Sequence, residues 1–301
     1  MIFLVNSMFK TDIAREACEK LLDSEIDKKE FNLFGLPCAS VEIKSDVVAK
    51  EIGKRKGRYV SIECDAVLRG DSEKYKDISF AIADQLRKML PDKSAPVLVA
   101  GLGNRELTPD SIGNKVIDKV LVTRHVFEFM PQAADERLRS VSAIAPGVLG
   151  VTGIESADII ASIAKKIGAK AIIVVDALAA RASERLFSTF QISNAGIEPG
   201  AGVGNKRSAL TEQTAHIPVI AIGVPTVVYA SSLVYSAIVN MMQDDKSAEE
   251  YAQKISSVAP EMVVTPKEID TIAEDASLII ADGINFALHN APSEEIKQFA
   301  F

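Results

Sequence analysis

The chain has 301 residues, of which 48% are hydrophobic and 25% are charged, so it can form a full hydrophobic core. These values exclude a wholly disordered or fibrous chain. Its 41 acidic and 34 basic residues give a net charge of −7, which disfavours a nonspecific nucleic-acid binder because phosphate contacts need clustered Lys and Arg. Three scattered cysteines cannot form a disulfide framework or a zinc site, and they fit a reducing compartment.

The first 55 residues are polar and poorly periodic, and beyond them predicted strands alternate with predicted helices. Apolar or alternating runs predict strands at 59–64, 96–100, 171–175, 188–192 and 217–222. Helical spacing predicts helices at 74–90, 109–122, 156–167, 246–257 and 266–289. Such alternation is typical of parallel strands covered on both faces. We therefore predict a single α/β domain over residues 11–301, with a mainly parallel twisted sheet flanked by helices.

The segment 217–242 has no charged residue and is longer than the ~20 residues that a membrane-spanning helix needs. Pro218, Gly223 and Pro225 interrupt it. We interpret the segment as a buried strand, a turn and a helix that begins near Thr226, and we expect no membrane association. The apolar N-terminal run is too short for a signal peptide.

Three loops follow predicted strands at the carboxyl edge of the sheet, where α/β folds form their sites. The first loop begins at Gly101 and leads to Thr108-Pro109, which predicts an N-cap followed by proline at the first helical position. Asp110 would then lie in the first helical turn, where the helix dipole favours its charged form. Glu106 replaces the last glycine of G-x-G-x-x-G, so the loop is not a dinucleotide-binding fingerprint.

The second loop begins with Asp176, directly after the apolar run 171–175. A carboxylate at the end of a buried strand is partly desolvated and needs a partner. Arg181 or Arg185 could pair with it, or Asp110 could face it from the neighbouring strand end. Two acids that share one proton can act as base and acid on a water molecule. We predict Asp110 as the ionised base and Asp176 as the acid.

The third loop, 194–207, is rich in glycine but lacks the spacing of a phosphate-binding loop. We predict that it faces the substrate. Its candidate binding residues are Gly200, Gly202, Gly204, Asn205, Lys206 and Arg207. The three histidines are not in a zinc motif and no G-x-S-x-G element is present, so we expect no catalytic metal held by the protein, no cofactor and no serine nucleophile.

Short motifs in chain order over residues 11–228 form a specific pattern. They are Thr11-Asp-Ile-Ala14, Gly101-Leu-Gly-Asn104, Thr108-Pro-Asp110, Leu121-Val-Thr-Arg-His125, Ala145-Pro-Gly-Val148, Gly150-Val-Thr-Gly-Ile-Glu155, Asp176-Ala-Leu-Ala-Ala-Arg181, Gln191-Ile-Ser193, Gly202-Val-Gly-Asn-Lys-Arg207 and 217–228. This pattern resembles the germination protease (spore protease) family. The resemblance implies a phosphorylase/hydrolase-like fold related to the hydrogenase-maturation proteases. It also implies an atypical aspartic endopeptidase that begins the degradation of small acid-soluble spore proteins during germination, in the cytoplasm of the spore core.

By this resemblance the family's two catalytic aspartates fall on Asp110 and Asp176. The resemblance also implies a homotetramer that is made as a zymogen and removes its own propeptide. We predict the propeptide at residues 1–10, ahead of Thr11, although Met8 is a second possible initiator. The residues predicted to support the site are Asn104, Glu155, Arg181 and Arg185.

The chain departs from the family pattern at a few positions, which bear on subsite preference more than on the reaction. The family usually has Trp, His, Ser and Asp where this chain has Arg105, Glu198, Ala201 and Tyr229.

Three other functions stay open from the sequence. The first is a maturation-type protease of the same superfold that reads a metal in its substrate. The second is a peptidyl-tRNA hydrolase with Asn104 and His125 around a tRNA end, which the negative charge disfavours. The third is a noncatalytic binding protein, in which Asp110 and Asp176 would be salt-bridged separately and lie apart.

Overall fold

A computed structural model gives the structure of the protein and describes residues 11–19, 21, 26–92, 94–198, 208–242, 251, 254 and 262–289. The strands are β1 (Asp27–Leu33), β2 (Leu36–Ile43), β3 (Gly57–Glu63), β4 (Val97–Gly101), β5 (Val141–Ile144), β6 (Ala171–Ala180), β7 (Thr189–Ser193), β8 (Val219–Tyr229) and β9 (Val263–Val264). The α-helices are α1 (Ala14–Ala17), α2 (Asp46–Ile52), α3 (Ala66–Arg69), α4 (Tyr75–Met89), α5 (Ile112–Ile117), α6 (Arg124–Phe129), α7 (Leu149–Thr152), α8 (Ser156–Ile167), α9 (Glu212–Ala215), α10 (Ala230–Met242) and α11 (Ile269–Leu288).

The strands form one sheet in the order β1-β2-β3-β7-β8-β6-β4-β5, and β9 pairs with β8. The strands β8, β6, β4 and β5 are parallel to one another, whereas β1, β2, β3, β7 and β8 pair antiparallel. The predicted α/β class is confirmed, but the sheet is mixed rather than mainly parallel. One reason lies in the link between β6 and β7, which flank β8 in the sheet. This link is shorter than the crossover of a dozen or more residues that parallel strands need, so β7 runs antiparallel to β6.

The hairpin of β1 and β2 lies where the sequence is poorly periodic. Phe34 and Gly35 turn the chain with φ of 51° and 80°, as tight two-residue hairpins require. The outer strand β1 is mostly exposed and carries charged side chains, which protect a sheet edge from pairing with another chain. These charges hide the alternation that identifies a strand.

Helices cover both faces of the parallel strands. Ile173 and Val175 of β6 face the larger core, which α4, α5 and α11 complete. Ile172 and Val174 point to the opposite face and pack with α8. The apolar run 171–175 is therefore buried on both faces, as its composition predicts.

The apolar segment 217–242 differs from the prediction at one boundary. The strand β8 continues to Tyr229, and α10 begins at Ala230 rather than near Thr226. Every residue of β8 is buried, and its one proline, Pro225, lies next to a shift in the pairing with β6, a position at which a strand tolerates proline. Within the described ranges, no helix is long and apolar enough to cross a membrane.

Candidate active site

Asp176 lies inside β6 rather than in a loop after it, because this strand continues to Ala180. Asp176 is opposite Gly223 of β8, and Gly223 is opposite Gln191 of β7. The three residues form a row on the face that also carries α8. A Cβ at Gly223 would lie 2.5 Å from Cγ of Leu178, so glycine keeps this row open. Asp176 itself is 7% exposed.

The chain leaves β4 beside Asp176, since Gly101 is opposite Val175 in the parallel ladder. Here the backbones of β4, α5 and β6 approach closely. A Cβ at Gly101 would lie 2.1 Å from the Gly113 carbonyl oxygen, and one at Gly113 would lie 2.6 Å from the Val175 carbonyl oxygen. Only residues without side chains permit this packing, which brings the turn after β4 onto the sheet.

Asp110 ends a 3₁₀ turn, Thr108–Asp110, and the helix α5 is much shorter than the predicted helix 109–122. Thr108 does not cap a helix, and its hydroxyl donates to Asp270 over 2.9 Å. The Asp110 carboxylate accepts a hydrogen bond of 2.7 Å from the Asn104 backbone N–H. The carboxylate is therefore bound by a loop N–H, and it does not lie in the first turn of an α-helix as predicted.

Asp110 and Asp176 line the same cavity, which has a volume of about 940 Å³. The structure thus brings the two predicted aspartates to one site instead of placing them apart. Other polar residues that line the cavity are Asp12, Lys54, Tyr59, Ser156, Gln191, Ser193 and Thr226.

The start of the described chain forms one wall of this cavity, which sequence reasoning did not anticipate. The Gln191 amide accepts a hydrogen bond of 2.7 Å from Ala14 N–H and donates one of 3.0 Å to the Asp12 carbonyl. The Asp12 carboxylate accepts a hydrogen bond of 2.9 Å from Ala179 N–H. The motifs 11–14 and 191–193 both belong to the family pattern, but the sequence does not show that they contact each other.

The same wall carries a lysine. The Lys54 ammonium group donates a hydrogen bond of 2.6 Å to the Thr11 carbonyl. Burial lowers the pKa of Lys54 below its ordinary value, and the neighbouring Asp12 carboxylate opposes this shift. Arg55 forms an ion pair with Glu198 at the same end of the cavity. This part of the cavity lining therefore holds two cations, each close to a carboxylate.

Arg181 and Arg185 bind glutamates. Arg185 lies 2.9 Å from a carboxylate oxygen of Glu63 and 3.4 Å from one of Glu16, and Arg181 pairs with Glu19. Glu16 also accepts a hydrogen bond of 2.8 Å from the backbone N–H of Arg181. Neither arginine is among the residues that line the cavity. Together they tie α1 to the end of β6, the strand whose residues 176–179 line the cavity.

Asn104 and Glu155 do not line the cavity, but each lies next to a residue that does. The Asn104 side chain accepts a hydrogen bond of 3.0 Å from Glu106 N–H, which shapes the loop that holds Asp110. Glu155 precedes α8 without a side-chain capping bond, and the next residue, Ser156, lines the cavity.

The loop after β7 starts at the opposite edge of the sheet from the other two, because β7 is antiparallel to β8. It still reaches the cavity, since Gly196, Ile197 and Glu198 line it. The predicted substrate-binding residues Gly200, Gly202, Gly204, Asn205, Lys206 and Arg207 lie outside the described residues. The predicted propeptide, Ala201 and most of the predicted helix 246–257 lie outside them as well.

Two of the residues that depart from the family pattern, Arg105 and Tyr229, do not line the cavity themselves. Arg105 binds the Asp118 carboxylate through two hydrogen bonds of 2.7 and 3.0 Å on the surface. Tyr229 is buried with Ala179 and Val227.

The described residues also bear on the alternative functions. His125, the candidate for a peptidyl-tRNA hydrolase site, is exposed and is not among the cavity-lining residues. No three His, Cys, Asp or Glu side chains in the described part of the chain are grouped as a metal site.

The site thus combines two carboxylates, those of Asp110 and Asp176, in one cavity on an α/β sheet. The family model described as germination protease matches residues 7–260. The chain belongs to the germination protease family, and it is a protease.

Curated germination proteases match nearly the whole chain. That of Clostridium acetobutylicum is 41% identical over 94% of this chain and 95% of its own length. Those of Priestia megaterium and Bacillus subtilis are 35% and 33% identical, over at least 95% of each chain. Among solved structures, the [NiFe] hydrogenase maturation protease HycI from Thermococcus kodakarensis is 13% identical with a TM-score of 0.37, covering 68% of this chain and 98% of that one.

Proposed function

We propose that this protein is an endopeptidase that initiates the degradation of small acid-soluble spore proteins during germination, and that Asp110 and Asp176 catalyse the hydrolysis. The observation that carries the proposal is that both aspartates line one cavity in a chain of the germination protease family. Two carboxylates are sufficient to activate a water and protonate the leaving amine without a covalent intermediate.

In the proposed mechanism Asp110 is the base and Asp176 is the acid. Both carboxylates accept a backbone N–H, Asp110 from Asn104 over 2.7 Å and Asp176 from Ala177 over 2.9 Å, and this contact favours the ionised form of each. The two differ in burial: Asp176 is 7% exposed and Asp110 is half-buried, so we assign Asp110 as the base that takes a proton from the attacking water and Asp176 as the acid that donates to the departing nitrogen. The charged part of the cavity lining around Lys54 and Arg55 would contact another part of the substrate chain.

The test measures cleavage of a recombinant small acid-soluble spore protein by Asp110→Asn and Asp176→Asn. Each amide keeps the shape of the acid but cannot transfer the proton, so we expect kcat to fall by about 10²–10⁴-fold. Asp118→Asn is the matched control, because Asp118 is a surface partner of Arg105 and should leave kcat unchanged.

Near-normal turnover by both active-site variants would contradict the aspartate mechanism. Loss of wild-type cleavage on addition of a chelator would favour the maturation-type alternative that reads a metal in its substrate.

We also propose that residues 1–10 are a propeptide that keeps the enzyme inactive. Asp12 lines the cavity and Thr11 binds Lys54 there, so the preceding residues join the chain at the cavity. Deletion of residues 1–10 should raise kcat without changing the circular dichroism spectrum. Full activity in a protein whose mass still includes these residues would contradict this role.

The family membership supports two further proposals, a homotetrameric assembly and a location in the cytoplasm of the spore core. Analytical ultracentrifugation of the purified protein tests the first, and fractionation of spores tests the second.

A further inference from the structure

A bulge interrupts the pairing of β6 with β8 beside the two aspartates. Leu178 is opposite Pro225 and Ala179 is opposite Val227, so Thr226 is an extra residue on β8. Bulges change the direction in which a side chain points, and they occur often next to active sites. Thr226 is 1% exposed and lines the cavity.

The Thr226 hydroxyl donates a hydrogen bond of 2.6 Å to the carbonyl of Pro109. This carbonyl belongs to the peptide unit that joins Pro109 to Asp110. The N–H of the same unit donates to the Leu107 carbonyl over 2.8 Å. Both polar groups of the peptide from which Asp110 extends are therefore fixed, one of them by the sheet.

The Asp110 turn is also held on another side. A Cβ at Gly103 would lie 1.9 Å from the Asp110 carbonyl oxygen, so loop and turn are in close contact. The Thr226 carbonyl accepts a hydrogen bond of 2.8 Å from the Thr265 hydroxyl, a contact that does not involve the Asp110 turn. The β-branched side chain of threonine has restricted χ1 rotamers, so its hydroxyl is held in one direction.

We propose that Thr226 is a positioning residue that sets the Asp110 turn against the sheet that carries Asp176. The inference rests on the proposed function, because it concerns how the two carboxylates reach their working distance. Thr226 acts through the peptide of Asp110 and takes no part in proton transfer.

Thr226→Val tests the inference, since valine has the shape of threonine without the hydroxyl. We expect kcat for the recombinant spore protein to fall by about tenfold or more with KM nearly unchanged, because small misplacements of catalytic groups are costly. The two apparent pKa values of the kcat/KM profile should also move closer together, since the carboxylates perturb each other less when they are farther apart. Thr226→Ser keeps the hydroxyl and should retain most of kcat.

Thr265→Val is the matched control. The same substitution there removes a hydrogen bond of similar length from the bulge but none from the Asp110 turn. We expect its kcat to stay within about twofold of wild type, whereas a role limited to holding the bulge would make the two valine variants alike. Thermal unfolding of every variant separates a loss of rate from a loss of fold. If Thr226→Val does not fold, Thr226→Cys, whose thiol is only a weak donor, takes its place with the same expectation.

Wild-type kcat and an unchanged pH profile in Thr226→Val, or an equal loss in Thr226→Ser, would overturn the inference. Full activity of Asp110→Asn and Asp176→Asn would overturn the proposed mechanism whatever the Thr226 variants do. Inactive aspartate variants together with a fully active Thr226→Val would overturn the inference alone.

Discussion

The parallel and antiparallel halves of the sheet form the cavity in different ways. In the parallel half, Gly101 and Gly113 let backbones approach closely, Gly223 leaves room for the Leu178 side chain, and Asp110 and Asp176 line one cavity. In the antiparallel half, the Gln191 amide binds the start of the chain as a wall. The parallel half depends on positions without side chains, and the antiparallel half depends on hydrogen bonds to a buried amide. Substitutions in the two halves should therefore change the free energy of unfolding for different reasons.

The largest effect should come from adding volume to the parallel half. The Cβ of Gly101→Ala would lie 2.1 Å from a backbone oxygen of Gly113, and backbone cannot move aside as a flexible side chain can. We expect the free energy of unfolding, measured in urea, to fall by about 3 kcal/mol or more.

Gly150→Ala is the control for this substitution. Gly150 lies exposed in α7 with nothing within 4 Å of an added Cβ, so alanine should leave stability unchanged or raise it by up to about 1 kcal/mol. Equal effects at the two glycines would show that close backbone approach does not limit the parallel half.

A smaller effect is expected from Gln191→Met in the antiparallel half. The substitution removes both hydrogen bonds to the N-terminal segment. The buried Ala14 N–H loses its partner, whereas the Asp12 carbonyl lies at the cavity and can bind water. We expect unfolding in urea to show a loss of about 2 kcal/mol.

Gln85→Met provides the comparison, because Gln85 is equally buried in α4. Its side-chain oxygen has no hydrogen-bond partner in the described part of the chain, and its amide donates only to the neighbouring Asp84. This substitution should cost little or be stabilising, since it removes an unsatisfied polar atom. A loss as large as that of Gln191→Met would mean that buried volume, rather than hydrogen bonding, holds the wall.

The two halves also differ in how far the sequence predicts them. Apolar runs before Gly101 and Asp176 indicate neighbouring buried strands, and the geometry of parallel strands then places the acids that follow near each other. This local pattern predicts Asp110 and Asp176 at one site, and both line the cavity. The pattern does not predict that β6 continues beyond Asp176, because a polar residue in a strand that lines a cavity resembles a loop residue.

The wall of the antiparallel half could not be predicted in this way. Gln191 and Asp12 are separated by 179 residues, and alternation along β7 gives the face of a side chain but not the segment that covers it. The charged strand β1 hid the hairpin for a related reason, since an edge strand has little need for apolar residues. Long-range polar contacts and sheet edges therefore carry the weakest sequence signals in this molecule.

The smallest effect concerns one polar group that supports the parallel half from its outer edge. His289 follows α11 and is 2% exposed, and its Nδ1 accepts a hydrogen bond of 3.2 Å from the Arg139 backbone N–H. Burial lowers the pKa of His289 to about 4, and the nearby Arg139 guanidinium adds to the shift. The other charged group here is Asp92, which faces Arg139.

The sign of the pH effect follows from the unfolded chain, in which a histidine has a pKa near 6.5. Above that pH both states are neutral and the native packing of His289 is intact. As the pH falls from 6.5 towards 4, the unfolded chain binds a proton that the folded chain does not, so stability is lost. We expect the free energy of unfolding, measured in urea at each pH, to fall by about 1.5 kcal/mol between pH 7 and pH 5.

His289→Gln should remove this part of the dependence of the free energy of unfolding on pH, whereas His125→Gln, at an exposed position, should keep it. If the free energy of unfolding depends on pH identically in wild type and His289→Gln, the buried imidazole is protonated at little cost. The outer edge of the parallel half would then tolerate a buried charge, whereas the close packing at Gly101 and Gly113 should not tolerate even an added methyl group.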